Sequence, residues 1–494
     1  MNGIPLLSII LLAPLVGALV IMALREDLHI RVVAAVASAV SLVASLYVYA
    51  NYDNARGGMQ FTETVPWIDQ LGVAYSLGVD GISLPLVLLT AIVIFAGVFA
   101  SWTGIRERVK EFHVALLVLV TGVFGVFMAR DLFFFLVFYE IAVIPMYILI
   151  AVWGSTRKLY GAMKLTIYLL VGSAFLIVGV IAVFLASGTG SFDIATLASV
   201  QYDEGFQKFA YLLFLFGFGV LAALWPFHTW SPDGHVAAPT AVSMLHAGVL
   251  MKLGAYGLLR VGLWVTPEGA QAWAPLVATL AVIGSVYGAM VAMAQRDMKF
   301  VIGYSSVSHM GFVLFGLAGI NALSLNGAVT QMFAHGVMTA LFFALVGLIY
   351  DKAHTRHMPD LGGLARQMPK VAAAFVIAGL ASLGLPGLIN FVAEFLIFVG
   401  SYQVYPVRAV LAVSSIVVTA AYVLRVAKWV FFGPPVEKWA GLTDARGVEM
   451  VPIVLLVGTL VVFGFFPSLM TGLIDTGIVS LLEHIGPIQL GGSF

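Results

Sequence analysis

Few side chains in this sequence can carry charge deep inside an apolar run: Glu140, Lys164, His246, Lys252, His309, His335, Glu394 and, nearer a helix end, Arg425. A lysine at bilayer depth costs about 2.5–3.5 kcal/mol on insertion scales, and such residues are kept for a use. Burial disfavours the charged form of each group, so buried amines, imidazoles and carboxyls can change protonation near neutral pH. A proton relay needs that property. Lys252 lies near the middle of the run Ala237 to Leu259, too deep to reach either face. Lys164 lies only a few residues inside its span and can extend its amine toward the surface. His246, six residues before Lys252, is turned about 240° around the helix and looks another way. Ser305 and His309 are i,i+4 neighbours and form a small polar stripe. His335 stands alone in Met332-Phe-Ala-His335-Gly, and Glu140 in Phe-Tyr-Glu140-Ile-Ala-Val-Ile-Pro. Each has a plainer alternative, a packing carboxylate or a hydrogen-bonded core histidine.

Two of the helices that must hold these groups are interrupted. Pro226-Phe-His-Thr-Trp-Ser-Pro-Asp-Gly-His235 reads as an irregular stretch between two apolar helices, and Gly384-Leu-Pro386-Gly387 cuts another, eight residues before Glu394. Non-helical backbone at membrane depth must line water or be buried in protein. The two prolines are 160 residues apart, and the fourth and ninth apolar spans, starting near 112 and 272, repeat that spacing. Five helices with a broken fourth, used twice, match the inverted repeats of transporters. The alternative is coincidence among helices rich in Gly and Pro. His228, Asp233 and His235 lack a recognised ligand spacing, so no metal is expected there.

The chain is 61% hydrophobic and 10% charged, with mean hydropathy +1.05. No soluble domain has that balance. The expected fold is an all-α polytopic membrane protein of about 14 transmembrane helices. It would contain two inverted five-helix repeats with discontinuous helices near Pro226 and Pro386. The expected divisions are 1–110 (helices one to three), 111–263 (first repeat), 264–432 (second repeat) and 433–494 (final helix and tail). The first helix, Ile4 to Met22, exceeds a signal-peptide core and lacks a basic lead and a cleavage site, so it reads as a retained span. With the N-terminus outside, sixteen Lys and Arg fall on inner loops and helix ends and five on the outer side. That asymmetry places both termini outside. Zero net charge gives no support for nucleic acid as a partner. The absence of cysteine excludes disulfides, the usual iron–sulfur ligation and thiol chemistry. No phosphate loop or dinucleotide fingerprint opens a soluble domain. Any redox or nucleotide-driven step is expected in other subunits, and no cofactor in this one.

Five segments carry a resemblance when taken together and in order. They are Phe138-Tyr139-Glu140 through Pro145-Met146-Tyr147, Pro226 through His235, Ala247-Gly-Val-Leu-Met-Lys252 through Arg260, Tyr304-Ser-Ser-Val-Ser-His309-Met-Gly-Phe312, and Asn390-Phe-Val-Ala-Glu394-Phe395. Over nearly the whole chain it resembles the antiporter-like membrane subunits of respiratory complex I, the NADH–quinone oxidoreductase. Within them it resembles the branch called subunit M or chain 4, since nothing here could form the long lateral helix of subunit L. The resemblance implies a proton-translocating subunit of a bacterial inner membrane, set in lipid among other membrane-arm subunits. FMN, iron–sulfur clusters and quinone would belong to partner subunits. It also implies roles: Glu140 as the span-five carboxylate coupled to a neighbouring lysine, Lys252 as the central protonatable lysine, His309 and His335 as a hydrated axis, and Glu394 as the exit residue.

One departure stands out. The family usually places a lysine on the seventh span, five residues before the proline that here is Pro226, and this chain has Leu221. Glu140 must then be neutral, or find Lys164 or another partner, and the relay is expected to be modified. Two other readings stay open. One is a subunit of a multisubunit sodium/proton antiporter or a membrane-bound hydrogenase, which share these motifs. The other is a structural spacer in the membrane arm, favoured by Leu221.

Overall fold

The computed structural model describes residues 4–486. Among these, thirteen helices are long and apolar enough to cross a membrane. A further crossing is assembled from two shorter helices, which brings the arrangement to the expected fourteen. In order, the helices are α1 (Leu6–Ala23), α2 (Asp27–Ala50), α3 (Ser83–Ala100), α4 (Val109–Met128), α5 (Leu132–Trp153), α6 (Lys158–Ser187), the short α7 (Ile194–Ala198), α8 (Glu204–Leu221), the short α9 (Trp230–Ala237) and α10 (Thr240–Leu263). There follow α11 (Pro267–Ala294), α12 (Met298–Gly319), α13 (Ala322–Ala353), the half-length α14 (Pro369–Ser382) and α15 (Ile389–Tyr402), α16 (Pro406–Phe431), α17 (Met450–Phe465) and α18 (Ser468–Ile485).

The two repeats are visible in matched contacts. Arg130-Asp131 and Arg296-Asp297, 166 residues apart, precede α5 and α12, and each aspartate caps its helix by accepting a backbone N–H, from Phe134 and Lys299. Gly161 on α6 and Gly327 on α13 keep the same spacing. A Cβ on Gly161 would stand 3.0 Å from the Asp233 carbonyl oxygen, and one on Gly327 2.9 Å from that of Ala393. Only glycine lets each long helix approach the second half of its broken neighbour so closely. Those two carbonyls are 160 residues apart, the spacing of the prolines.

Burial follows position. Every residue of α10 after Thr240 is buried and nearly all of α13, whereas most residues of α1, α2, α6, α16 and α17 are not buried. Two corrections concern the breaks. The stretch from Pro226 to His235 is not irregular throughout, because its second half is α9, with Pro232 in the first turn, where a missing N–H costs nothing. The single final helix expected within 433–494 is two helices, α17 ending at Phe465 and α18 following Pro467. Residues 487–494 of the expected tail lie outside the described residues.

The connection from α2 to α3 holds an antiparallel hairpin, β1 (Gln60–Ile68) and β2 (Val73–Val79), turned by Gly72 at φ 64°. Its Glu63 accepts the backbone N–H groups of Leu7 and Ser8 (2.8 and 3.1 Å) at the start of α1. The hairpin therefore caps a helix end that has no cap of its own.

Candidate functional site

The helix that carries Lys252 is not uniform. α10 widens into π turns at His246–Leu250 and Leu258–Leu263, with Lys252 between them. Such turns recur at functional positions because they re-aim side chains without ending the helix. Lys252 is fully buried, and its Nζ donates to the Ala247 carbonyl (2.5 Å) and meets His335 Nδ1 at 2.8 Å. His335, on α13, stacks on His309 of α12, the ring centroids 5.2 Å apart and the planes 27° apart. His309 Nδ1 lies 3.4 Å from Glu394 Oε1 on α15, and His309 Nε2 lies 3.1 Å from Ser382 Oγ at the end of α14. Four protonatable groups from four elements thus form one buried line. Gly384, in the α14–α15 break, stands where a Cβ would come within 2.6 Å of Glu394 Oε2. The break itself therefore walls in the carboxylate.

Gln331, one turn before His335 on α13, belongs to this line and was not singled out from the sequence. Its Nε2 donates to Glu394 Oε1 (3.2 Å) and lies 3.3 Å from His309 Nδ1. A neutral His309 can accept this N–H. A protonated His309 must instead turn its own N–H to Glu394. The i,i+4 relation between Gln331 and His335 was the available signal. Ser382 and Gln331 are uncharged, so a search for ionisable groups passes over both.

Charge coupling along the line is large. Two cations 2.8 Å apart, or an imidazolium and a carboxylate at 3.4 Å, interact by roughly 5 kcal/mol even at an effective dielectric of about 20. Lys252 and His335 therefore do not hold a proton charge together, and a proton reaching one displaces charge toward the other. His335 Nε2 has no hydrogen-bond partner among the described residues.

The other sequence candidates are placed elsewhere. Lys164 pairs with Asp233 of α9 at 2.7 Å, so the partnership with Glu140 is not made. Glu140 Oε1 is buried without a hydrogen-bond partner, as is the neighbouring Tyr139 hydroxyl. Leu221 is fully buried at the end of α8. His246 stacks on Trp230 and lies against His235. Tyr422 donates to Ser305 (2.7 Å), so the Ser305–His309 stripe is spent on α14 and α16. Arg425 donates to the Gln295 carbonyl at the helix end. Among the described residues, no three His, Asp or Glu side chains gather as a metal site.

Comparison with known proteins gives a consistent picture. The family described as NADH:quinone oxidoreductase/Mrp antiporter, transmembrane, matches residues 129–419, from the turn before α5 into α16. NADH-quinone oxidoreductase subunit M of Rhodobacter capsulatus is 38% identical over 97% of this chain and 96% of its own. An NAD(P)H-quinone oxidoreductase chain 4 of Synechococcus elongatus is 39% identical over 89% of this chain and 84% of its own. A chain of respiratory complex I from Thermus thermophilus, with 29% identity, superposes with a TM-score of 0.89 over 99% of this chain and all of that one. The buried Lys–His–His–Glu line is thus set in a chain that belongs to the NADH:quinone oxidoreductase/Mrp antiporter transmembrane family.

Proposed function

We propose that this chain is a proton-translocating membrane-arm subunit of a complex I-type NADH–quinone oxidoreductase. One observation carries the reading: the continuous buried line Lys252, His335, His309, Glu394, with contacts of 2.8 and 3.4 Å at its ends. Electron transfer takes place in partner subunits, which hold FMN, iron–sulfur clusters and quinone. This chain holds no redox group and responds electrostatically. A change of charge at one end shifts protonation of Lys252. The proton passes to His335, crosses to His309 by ring rotation or a bridging water, and reaches Glu394, which releases it. The end bearing Arg106, Arg157 and Lys352 is the inner face of a bacterial cell membrane, and both termini lie outside. Glu140, Ile144 and Ile148 share one face of α5, and the two isoleucines are exposed. A neighbouring subunit seated on that face would cover the carboxylate.

The test is His335→Phe in the assembled complex reconstituted into vesicles. Phenylalanine keeps the ring packed against His309 and removes both nitrogens. Assembly should persist while proton transfer through this chain falls about a hundredfold, the usual scale for losing a positioned acid or base, so that the complex loses this chain's share of the protons. Unchanged transport would remove the line from the mechanism. Loss of assembly without loss of transport in the remaining complex would favour the spacer reading.

A further inference from the structure

The line from Lys252 to Glu394 needs a supply, and the structure holds a second buried lysine between Lys252 and the basic end of the bundle. Lys299 is the second residue of α12 and counts by sequence among the surface basic residues. Yet it is 3% exposed, with Nζ donating to the Ala238 carbonyl (2.7 Å) and to Ser243 Oγ (3.3 Å) at the start of α10. It lines a cavity of about 140 Å3 bounded by the ends of α3, α5 and α13. Ser101, Trp153, Tyr350, Asp351 and Arg356 share that wall. Asp351 is exposed at the rim. Arg356 is held away from Lys299 by Asp297 (2.7 Å) and by Ser155 and the Val236 carbonyl. A cavity of this volume with polar walls has room for several waters.

On the other side of Lys299 lie two histidines with unused nitrogens. Ser243 Oγ bonds the His235 carbonyl (2.9 Å), and the His235 and His246 rings lie 4.2 Å apart. His235 Nδ1 and both nitrogens of His246 are buried and make no hydrogen bond in the chain. His235 Nε2 meets Ser231 Oγ at 3.0 Å, and that hydroxyl reaches the sulfur of Met251, the residue before Lys252. Unpaired buried ring nitrogens are costly, and they are retained where a transient partner passes.

We infer that Lys299 is the inner loading station of the path, taking protons from the cavity and handing them through His235 and His246 to Lys252. At each passage the Lys299 amine breaks one N–H bond toward His235 and forms another with a proton that cavity water relays from the inner solution, so that no hydroxide is left behind. The charge of the chain is restored once the proton leaves at Glu394. This inference rests on the proposed pumping role.

The experiment compares variants of the assembled complex in inside-out vesicles, alongside Lys252→Ala. Lys299→Gln should lower proton transfer through this chain about tenfold or more, read as the loss of its share of the protons moved per electron pair. Lys299→Arg keeps a cation and donors for Ala238 and Ser243 but cannot deprotonate, so it should fail equally. Wild-type transport in either Lys299 variant would overturn the inference, because a purely structural or electrostatic lysine is replaced well by arginine. A test on protein already assembled uses Ala100→Cys, half-buried on the cavity wall of a chain with no cysteine of its own. A charged, membrane-impermeant thiol reagent applied from the inner side should label it and stop transport relative to the same vesicles before labelling. Labelling only from the outer side, or labelling without loss of transport, would overturn the inlet. If Lys252→Ala itself transports normally, the pumping role fails, and the inlet with it. If Lys252→Ala is inactive while Lys299→Gln is not, only the inlet fails.

Discussion

The two five-helix repeats share their scaffold and differ in what they connect. In the second repeat, Glu394 is tied to His309 and Gln331, and through His335 to Lys252. In the first, Lys164 and Asp233 neutralise each other, Glu140 has a buried oxygen without a partner, and Leu221 lies where the family's usual lysine would stand. Matched backbones thus carry a connected acid–base line across the second repeat, reaching Lys252 on α10 of the first, and isolated groups in the rest of the first. Repeat symmetry sets where a side chain can reach, and the identity of a few residues decides whether protons can use it.

Breaking the connected half should have the largest effect. Glu394→Gln keeps the hydrogen-bonding shape beside His309 and removes the titrating carboxyl. Proton transfer through this chain should fall about a hundredfold with the complex assembled, read as the loss of this chain's share of the protons moved per electron pair in reconstituted vesicles. Near-normal transport would mean that the two halves are equally dispensable. Rebuilding the first half comes next. Leu221→Lys should change the number of protons moved per electron pair, and an unchanged ratio would show that the missing amine is not what separates the halves. The smallest effect is expected from Glu140→Gln, under about threefold in the native background, because the carboxylate has no partner in the chain to lose. In the Leu221→Lys background the same change should cost about tenfold or more, a non-additivity that identifies contacting groups. Equal effects in both backgrounds would remove the contrast.

Much of this was legible in the residues themselves. Lys252, His309, His335 and Glu394 announce themselves as ionisable groups inside apolar runs, and Pro226 and Pro386 mark the broken helices. What stayed hidden depended on tertiary packing or on uncharged groups. Gln331 and Ser382 join the line only because α12, α13 and the α14 end converge. Lys299 sits one residue inside its helix and looks like a loop lysine until Ala238 and Ser243 fold over it. α9 was unreadable beneath two prolines, a glycine and two histidines. The 60–79 hairpin was too short and polar to stand out between long apolar spans. The pairing of Lys164 depended on which face of α9 meets α6, which linear spacing does not reveal.

The most direct measurement is the ratio of protons moved to electrons transferred by the intact complex carrying Lys252→Met, with quinone reduction followed in the same vesicles. The expected result is a complex that assembles and still transfers electrons, with a lower ratio because this chain's share of the protons is lost. A ratio equal to that of the unaltered complex would show that protons do not pass through the buried lysine.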